Sequence, residues 1–127
     1  MFDDAKGPIT HFEWGKYIIQ GQVHSEDGAG MGKDIFLSPD GIQPWKARKG
    51  HTLKPKMVAC AVPLKLDVLV IGCGVNGAIK VPKKTRKTIE EAGIPELILA
   101  RTPKACEKYN QLFRQGKKVA LLAHGTC

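Results

Sequence analysis

No long apolar run occurs in this sequence: the longest, Val68 to Ile79, is broken by Gly72, Gly74, Asn76 and Gly77. A spanning helix needs roughly 20 apolar residues, so a helical membrane anchor is excluded. The four cysteines, Cys60, Cys73, Cys106 and Cys127, include no Cys-x-x-Cys pair. That spacing argues against a zinc knuckle, and the expectation is free, reduced thiols with neither metal nor cofactor. Aromatic residues make up only 6% and none falls among the lysines, so the stacking platforms of single-strand binders are missing. The opening Met1-Phe2-Asp3-Asp4-Ala5-Lys6 is acidic where a signal peptide or presequence is basic, which makes a cytoplasmic location the expectation. G-x-S-x-G and G-x-x-x-x-G-K-[ST] are also absent, and no pair of acids suggests a glycosidase.

What is present is an ordinary globular composition on a chain of 127 residues, the size of one domain, so residues 1–127 are read as a single unit. A formal charge of +8 raises the question of an anionic partner. The charge is scattered over Lys46, Arg48, Lys49, Lys54, Lys56, Lys80, Lys83, Lys84, Arg86, Lys87, Lys117 and Lys118. Scattered lysines describe a solvated surface better than a nucleic-acid interface.

Residues 17–23, Tyr-Ile-Ile-Gln-Gly-Gln-Val, read as a first strand after a packed lead-in at His11, Trp14 and Gly15. Ser25 to Lys33, with Gly28, Gly30 and Gly32, reads as a flexible connection. A second strand, Asp34 to Leu37, leads into the turn Ser38-Pro39-Asp40-Gly41, and together these are expected to form an antiparallel unit. A short helix is placed on Met57, Val58 and Ala61. Asp67 to Ile71 reads as a strand buried on both faces, the central one of a sheet. A helix follows from Pro82 to Gly93, then a strand at Glu96 to Ala100. A second helix is capped by Thr102 with Pro103 at its first position, and Val119 to Ala123 forms the last buried strand. The alternation predicts a three-layer α/β fold with a mixed central sheet, flanking helices and an N-terminal antiparallel β unit.

Gly72-Cys73-Gly74-Val75-Asn76-Gly77 matches G-x-G-x-x-G after a buried strand. A dinucleotide loop, however, runs directly into its helix and is followed by an acidic residue one strand later. Here Ala78 to Val81 intervene and the next strand ends in Arg101, so dinucleotide binding is disfavoured. The glycines, Lys80 and the helix start at Pro82 remain candidates for holding an anion at the carboxyl edge of the sheet. His124 and Cys127 invite comparison with a thiol and its base. On an extended segment, residues three apart point to opposite faces, and a terminal carboxylate on Cys127 opposes a lowered thiol pKa. His124 is therefore read as a polar lining of the sheet edge, and Trp45, Arg48 and His51 as loop-anchoring structure.

The ordered set Phe12-Glu13-Trp14-Gly15, Pro39-Asp40-Gly41, Trp45 with Arg48, Gly50-His51, Val70-Ile71-Gly72-Cys73-Gly74, Lys80-Val81-Pro82, Thr102-Pro103-Lys104-Ala105, Tyr109-Asn110 and His124-Gly125-Thr126-Cys127 resembles the Mth nine-three-eight-like domain family nearly end to end. The resemblance implies a three-layer α/β fold and no established reaction. Its members include the adipogenesis-associated Mth-domain protein and a mitochondrial assembly factor for NADH dehydrogenase complex I. The residues matching the family pattern at the sheet edge are Gly72, Gly74, Lys80, Pro82, Thr102 and His124. The leading expectation is a binding, assembly or regulatory protein taking a small anion or a protein partner at that edge. An enzyme of small-molecule metabolism using His124 or Cys127 is the rival, and weak nucleic-acid binding through the lysines comes third. Homo-oligomerisation is left open.

Overall fold

Five consecutive residues, Val68–Gly72 (β7), are all buried, because their side chains alternate into two separate cores. Val68 and Val70 enter one apolar cluster, with Ile35, Leu37, Val119, Leu121 and Ala123. Leu69 and Ile71 enter the other, with Phe36, Ala120 and Leu122. A sheet with apolar residues on both faces must be covered twice, which makes the protein three-layered. This is a computed structural model, and it describes residues 1–25 and 33–127. The expected glycine-rich connection therefore lies almost wholly outside the described residues.

The covered sheet has the order β6-β5-β9-β7-β8, formed by Asp34–Ser38 (β5), Gly41–Pro44 (β6), β7, Glu96–Ala100 (β8) and Val119–His124 (β9). Strand β7 is parallel to β8 and β9, and β5 is antiparallel to β6 and β9, so the sheet is mixed. The middle position belongs to β9 rather than to the predicted β7. One face carries helix α1 (Lys83–Glu91) and a run of 3₁₀ turns at Pro55–Leu64, which places Met57, Val58 and Ala61 inward where a short helix was expected. The other face carries helix α2 (Thr102–Arg114) and a separate four-stranded antiparallel sheet of Phe2–Asp3 (β1), Ile9–Glu13 (β2), Lys16–Ile19 (β3) and Gln22–Ser25 (β4).

Three further expectations change. Residues 17–23 are two strands, because Gln20 and Gly21 both have positive φ and turn the chain as a two-residue hairpin. The lead-in is itself strand β2 with its own hairpin turn, and Trp14 there is 58% exposed rather than packed. Strand β5 pairs with β9 in the central sheet instead of joining the N-terminal unit, with Asp34 opposite His124. That last pairing builds the site described next.

Candidate functional site

The N-terminal residue of β5 and the C-terminal residue of β9 face each other, so Asp34 and His124 meet at the sheet edge. His124 is buried and its Nδ1 donates to Asp34 Oδ1 at 2.8 Å. The second oxygen, Oδ2, accepts from Arg48 Nε at 2.7 Å, and Arg48 Nη1 donates in turn to the Gly50 carbonyl. Arg48 thus ties the carboxylate behind His124 to the loop carrying His51. Trp45 fixes the start of that loop: the ring is buried, Nε1 donates to the Met57 carbonyl at 2.8 Å and the backbone N–H donates to the Asp34 carbonyl at 2.9 Å. Burial raises the Asp34 pKa, but the hydrogen bonds from His124 and Arg48 outweigh it and hold the carboxyl below its ordinary value.

Cys127 completes the cluster. Strand alternation ends at His124, and Gly125 takes the chain past Lys33 so closely that an added Cβ would overlap the Lys33 carbonyl oxygen. The Gly125 N–H donates to Asp34 Oδ1, and its carbonyl accepts from Gly15 N–H. The chain then folds over Gly74, where a Cβ would overlap the Cys127 carbonyl carbon. Cys127 Sγ comes to rest 3.2 Å from His51 Nε2 and 3.6 Å from His124 Nε2. The opposite-face argument for His124 and Cys127 fails because residues 125–127 are not extended strand.

The other sequence candidates divide into two groups. Gly72, Gly74, Thr102 and His124 converge in the interior: Thr102 Oγ1 accepts from Gly74 N–H at 2.9 Å and donates to the His124 carbonyl at 2.6 Å. Thr102 is therefore the first residue of α2 rather than its cap, and Arg101 occupies the cap position. The N–H groups of Val75, Asn76 and Ala78 donate to the Thr126 and Cys127 carbonyls, so the chain itself fills the place a pyrophosphate takes in a dinucleotide loop. Lys80 and Pro82 lie further out. Lys80 is exposed, and its backbone is joined to the loop through Lys80 N–H to His51 O and Leu53 N–H to Lys80 O. Pro82 is the residue that precedes α1.

Next to Lys80 the same loop forms a cleft of about 740 Å³, lined by Lys46, Lys49, Lys54, Lys56, His51 and Thr52 with Met57 and Ala47. His51 is shared between this cleft and the cluster around Cys127. Asp34 was not legible as a site residue, and His51 was read as structure. Asp34 carries no local motif and His51 only the Gly50-His51 pair; Asp34 reaches His124 through the pairing of β5 with β9, and Arg48 links its carboxylate to the loop carrying His51.

A three-layer α/β domain with a His-Cys-Asp cluster at the edge of a mixed sheet is the class these observations define. The chain belongs to the family described as proteins of unknown function (DUF498/DUF598), whose model matches residues 9–124. Among solved structures it is similar to the conserved hypothetical protein PH1505 from Pyrococcus horikoshii OT3, at 22% identity, covering 94% of this chain and 98% of that one with a TM-score of 0.75. It is similar to an outer membrane protein from Bartonella henselae, at 21% identity over 94% and 95% with a TM-score of 0.77. A Bordetella pertussis protein described as a Mth938-like domain matches at 14% identity over 92% and 84% with a TM-score of 0.63. The family match agrees with the resemblance read from the motifs, and the solved structures bear out the fold. No helix among the described residues is long and apolar enough to cross a membrane.

Proposed function

We propose that this protein binds a small polyanionic molecule at the carboxyl edge of its central sheet, in the cleft beside Lys80. The observation that carries the reading is the convergence of Lys46, Lys49, Lys54, Lys56 and His51 on one concave surface with an apolar floor at Met57. Lysines of one loop line a single electropositive depression, which concentrates anions and leaves the stems of the side chains to cover apolar surface. Gly72, Gly74 and Thr102 serve this site from behind, holding the residues around His124 in place, while the backbone of Lys80 braces the loop at His51 and Leu53.

Calorimetric titration with inorganic pyrophosphate tests the reading. Binding is expected to weaken with salt and to fall about tenfold, or 1.4 kcal/mol, in Lys49→Ala/Lys54→Ala. Lys80→Ala is expected to have a smaller effect. Unchanged binding in all these variants, or no anion retained by the protein purified from its host and examined by native mass spectrometry, overturns it. A co-purifying protein in that spectrum favours the assembly role that the family resemblance implies.

The second reading is a thiol-dependent reaction, favoured by the placement of His124 between Asp34 and Cys127. It predicts rapid alkylation of Cys127 that slows strongly in His124→Gln. Equal rates would remove it.

A further inference from the structure

Two imidazoles face one sulfur at the sheet edge, and a thiol with a single base needs only one. His51, His124 and Cys127 each offer one ligand atom within 4.8 Å of the other two, and Cys127 Sγ lies 3.2 and 3.6 Å from His51 Nε2 and His124 Nε2. Around a tetrahedral zinc ion, with bonds of about 2.3 Å to sulfur and about 2.0–2.1 Å to nitrogen, adjacent sulfur and nitrogen ligands stand roughly 3.5 Å apart. The spacing here brackets that value. We propose that His51, His124 and Cys127 form a binding site for a zinc-class divalent transition metal.

The tautomer of His124 supports this assignment. Asp34 is a carboxylate and only accepts, so the proton of a neutral His124 sits on Nδ1 and the lone pair of Nε2 points into the cluster. Thr126 Oγ1, 3.2 Å from Nε2, donates to that lone pair, and a metal ion would take its place. A carboxylate behind a ligating histidine fixes ring orientation and raises ligand basicity. Arg48 extends the arrangement by tying Asp34 to the carbonyl of Gly50, the residue before His51. One mixed set of two nitrogens and a thiolate suits zinc or cobalt better than calcium or magnesium, which prefer oxygen. Three protein ligands leave a fourth position open, and His51 places the site against the lysine-lined cleft. Two of the three ligands are histidines, and His51 lies 73 positions before His124 in the chain, which explains why cysteine spacing suggested no metal. The proposal stands apart from anion binding, since the metal alone reports on it.

The test is titration of the full chain with Co²⁺ under a non-thiol reductant, followed by absorption. One equivalent is expected to produce a sulfur-to-cobalt charge-transfer band and tetrahedral visible bands, both bleached by one equivalent of Zn²⁺. Cys127→Ser removes the charge-transfer band. His51→Ala, whose side chain is exposed and whose loss spares the core, weakens affinity about 100-fold. Asp34→Asn weakens it roughly 10-fold and keeps the band, marking a positioning residue. Cys60→Ser, at an exposed thiol outside the cluster, changes nothing. Circular dichroism confirms that the variants fold. No band at stoichiometric Co²⁺, a band that survives Cys127→Ser, or one lost in Cys60→Ser overturns the assignment.

Discussion

His11 and His124 each face a carboxylate, yet they sit in opposite surroundings. On the N-terminal sheet, His11 Nδ1 lies 2.6 Å from Asp3 and Nε2 lies 2.9 Å from Glu13, with the Asp3 side chain 72% exposed. At the central sheet edge, His124 and Asp34 are 3% and 13% exposed, and Arg48 holds the far oxygen. Both nitrogens of His11 are spent on acids, whereas only one nitrogen of His124 is. In water such a pair is screened and contributes little. In the interior, the same pair orients a ring and leaves a lone pair aimed at neighbours that tertiary structure has supplied.

Breaking the buried arrangement from behind gives the largest effect. Gly74→Ala places a methyl group against the Cys127 carbonyl at a residue whose φ is +99°, combining overlap with backbone strain. A loss of about 4 kcal/mol is expected in urea unfolding, together with the metal and anion sites. Asp34→Ala leaves Arg48 and His124 without their partner, at a cost of about 3 kcal/mol. Because the Asp34 pKa is held below its ordinary 3.8, the stability it confers is present above that pH and disappears as pH falls through the folded value. Acid titration monitored by tryptophan fluorescence should show this component in the wild type and not in Asp34→Ala.

Thr102→Val keeps the shape of the side chain but strips Gly74 N–H and the His124 carbonyl of their shared hydroxyl. The expected loss is about 2 kcal/mol by thermal unfolding, since the two groups stay buried. The smallest effect belongs to His11, which is half-buried but whose carboxylate partners are exposed. His11→Ala should cost less than about 1 kcal/mol. Asp3, and then Glu13, raise the His11 pKa above 6.5 against the opposing effect of desolvation. Its contribution is therefore full below about pH 6.5 and fades as pH rises through the folded pKa. A wild-type minus His11→Ala difference in stability that grows with pH would contradict this comparison.

The alternating burial of Val68 to Gly72 was legible because four consecutive aliphatics need two covers, and a strand between two layers supplies them. Helix α2 was legible through its period, which buries Ala105 and Tyr109, although Phe113 remains 48% exposed. The hairpin at Gln20-Gly21 was not, since positive φ at Gln20 is forced by the pairing of Ile19 with Gln22 and has no strong local signal. Thr102 had the right chemistry for a cap and was recruited elsewhere, because Gly74 and His124 present an N–H and a carbonyl to it across 28 and 22 positions of chain.

The sequence by itself determined the layers: apolar runs, breaking glycines and helical periods report on neighbours a few residues away, and those patterns set which surfaces must be buried. It also carried the family, through the order of its short motifs. Only the tertiary structure decided the site. Asp34, His51 and the pair His124 and Cys127 come from three separate segments, brought together by the pairing of β5 with β9 and by the passage of Gly125 past Lys33 and of Cys127 over Gly74. Such contacts depend on where whole elements settle, and no local period in a chain encodes that.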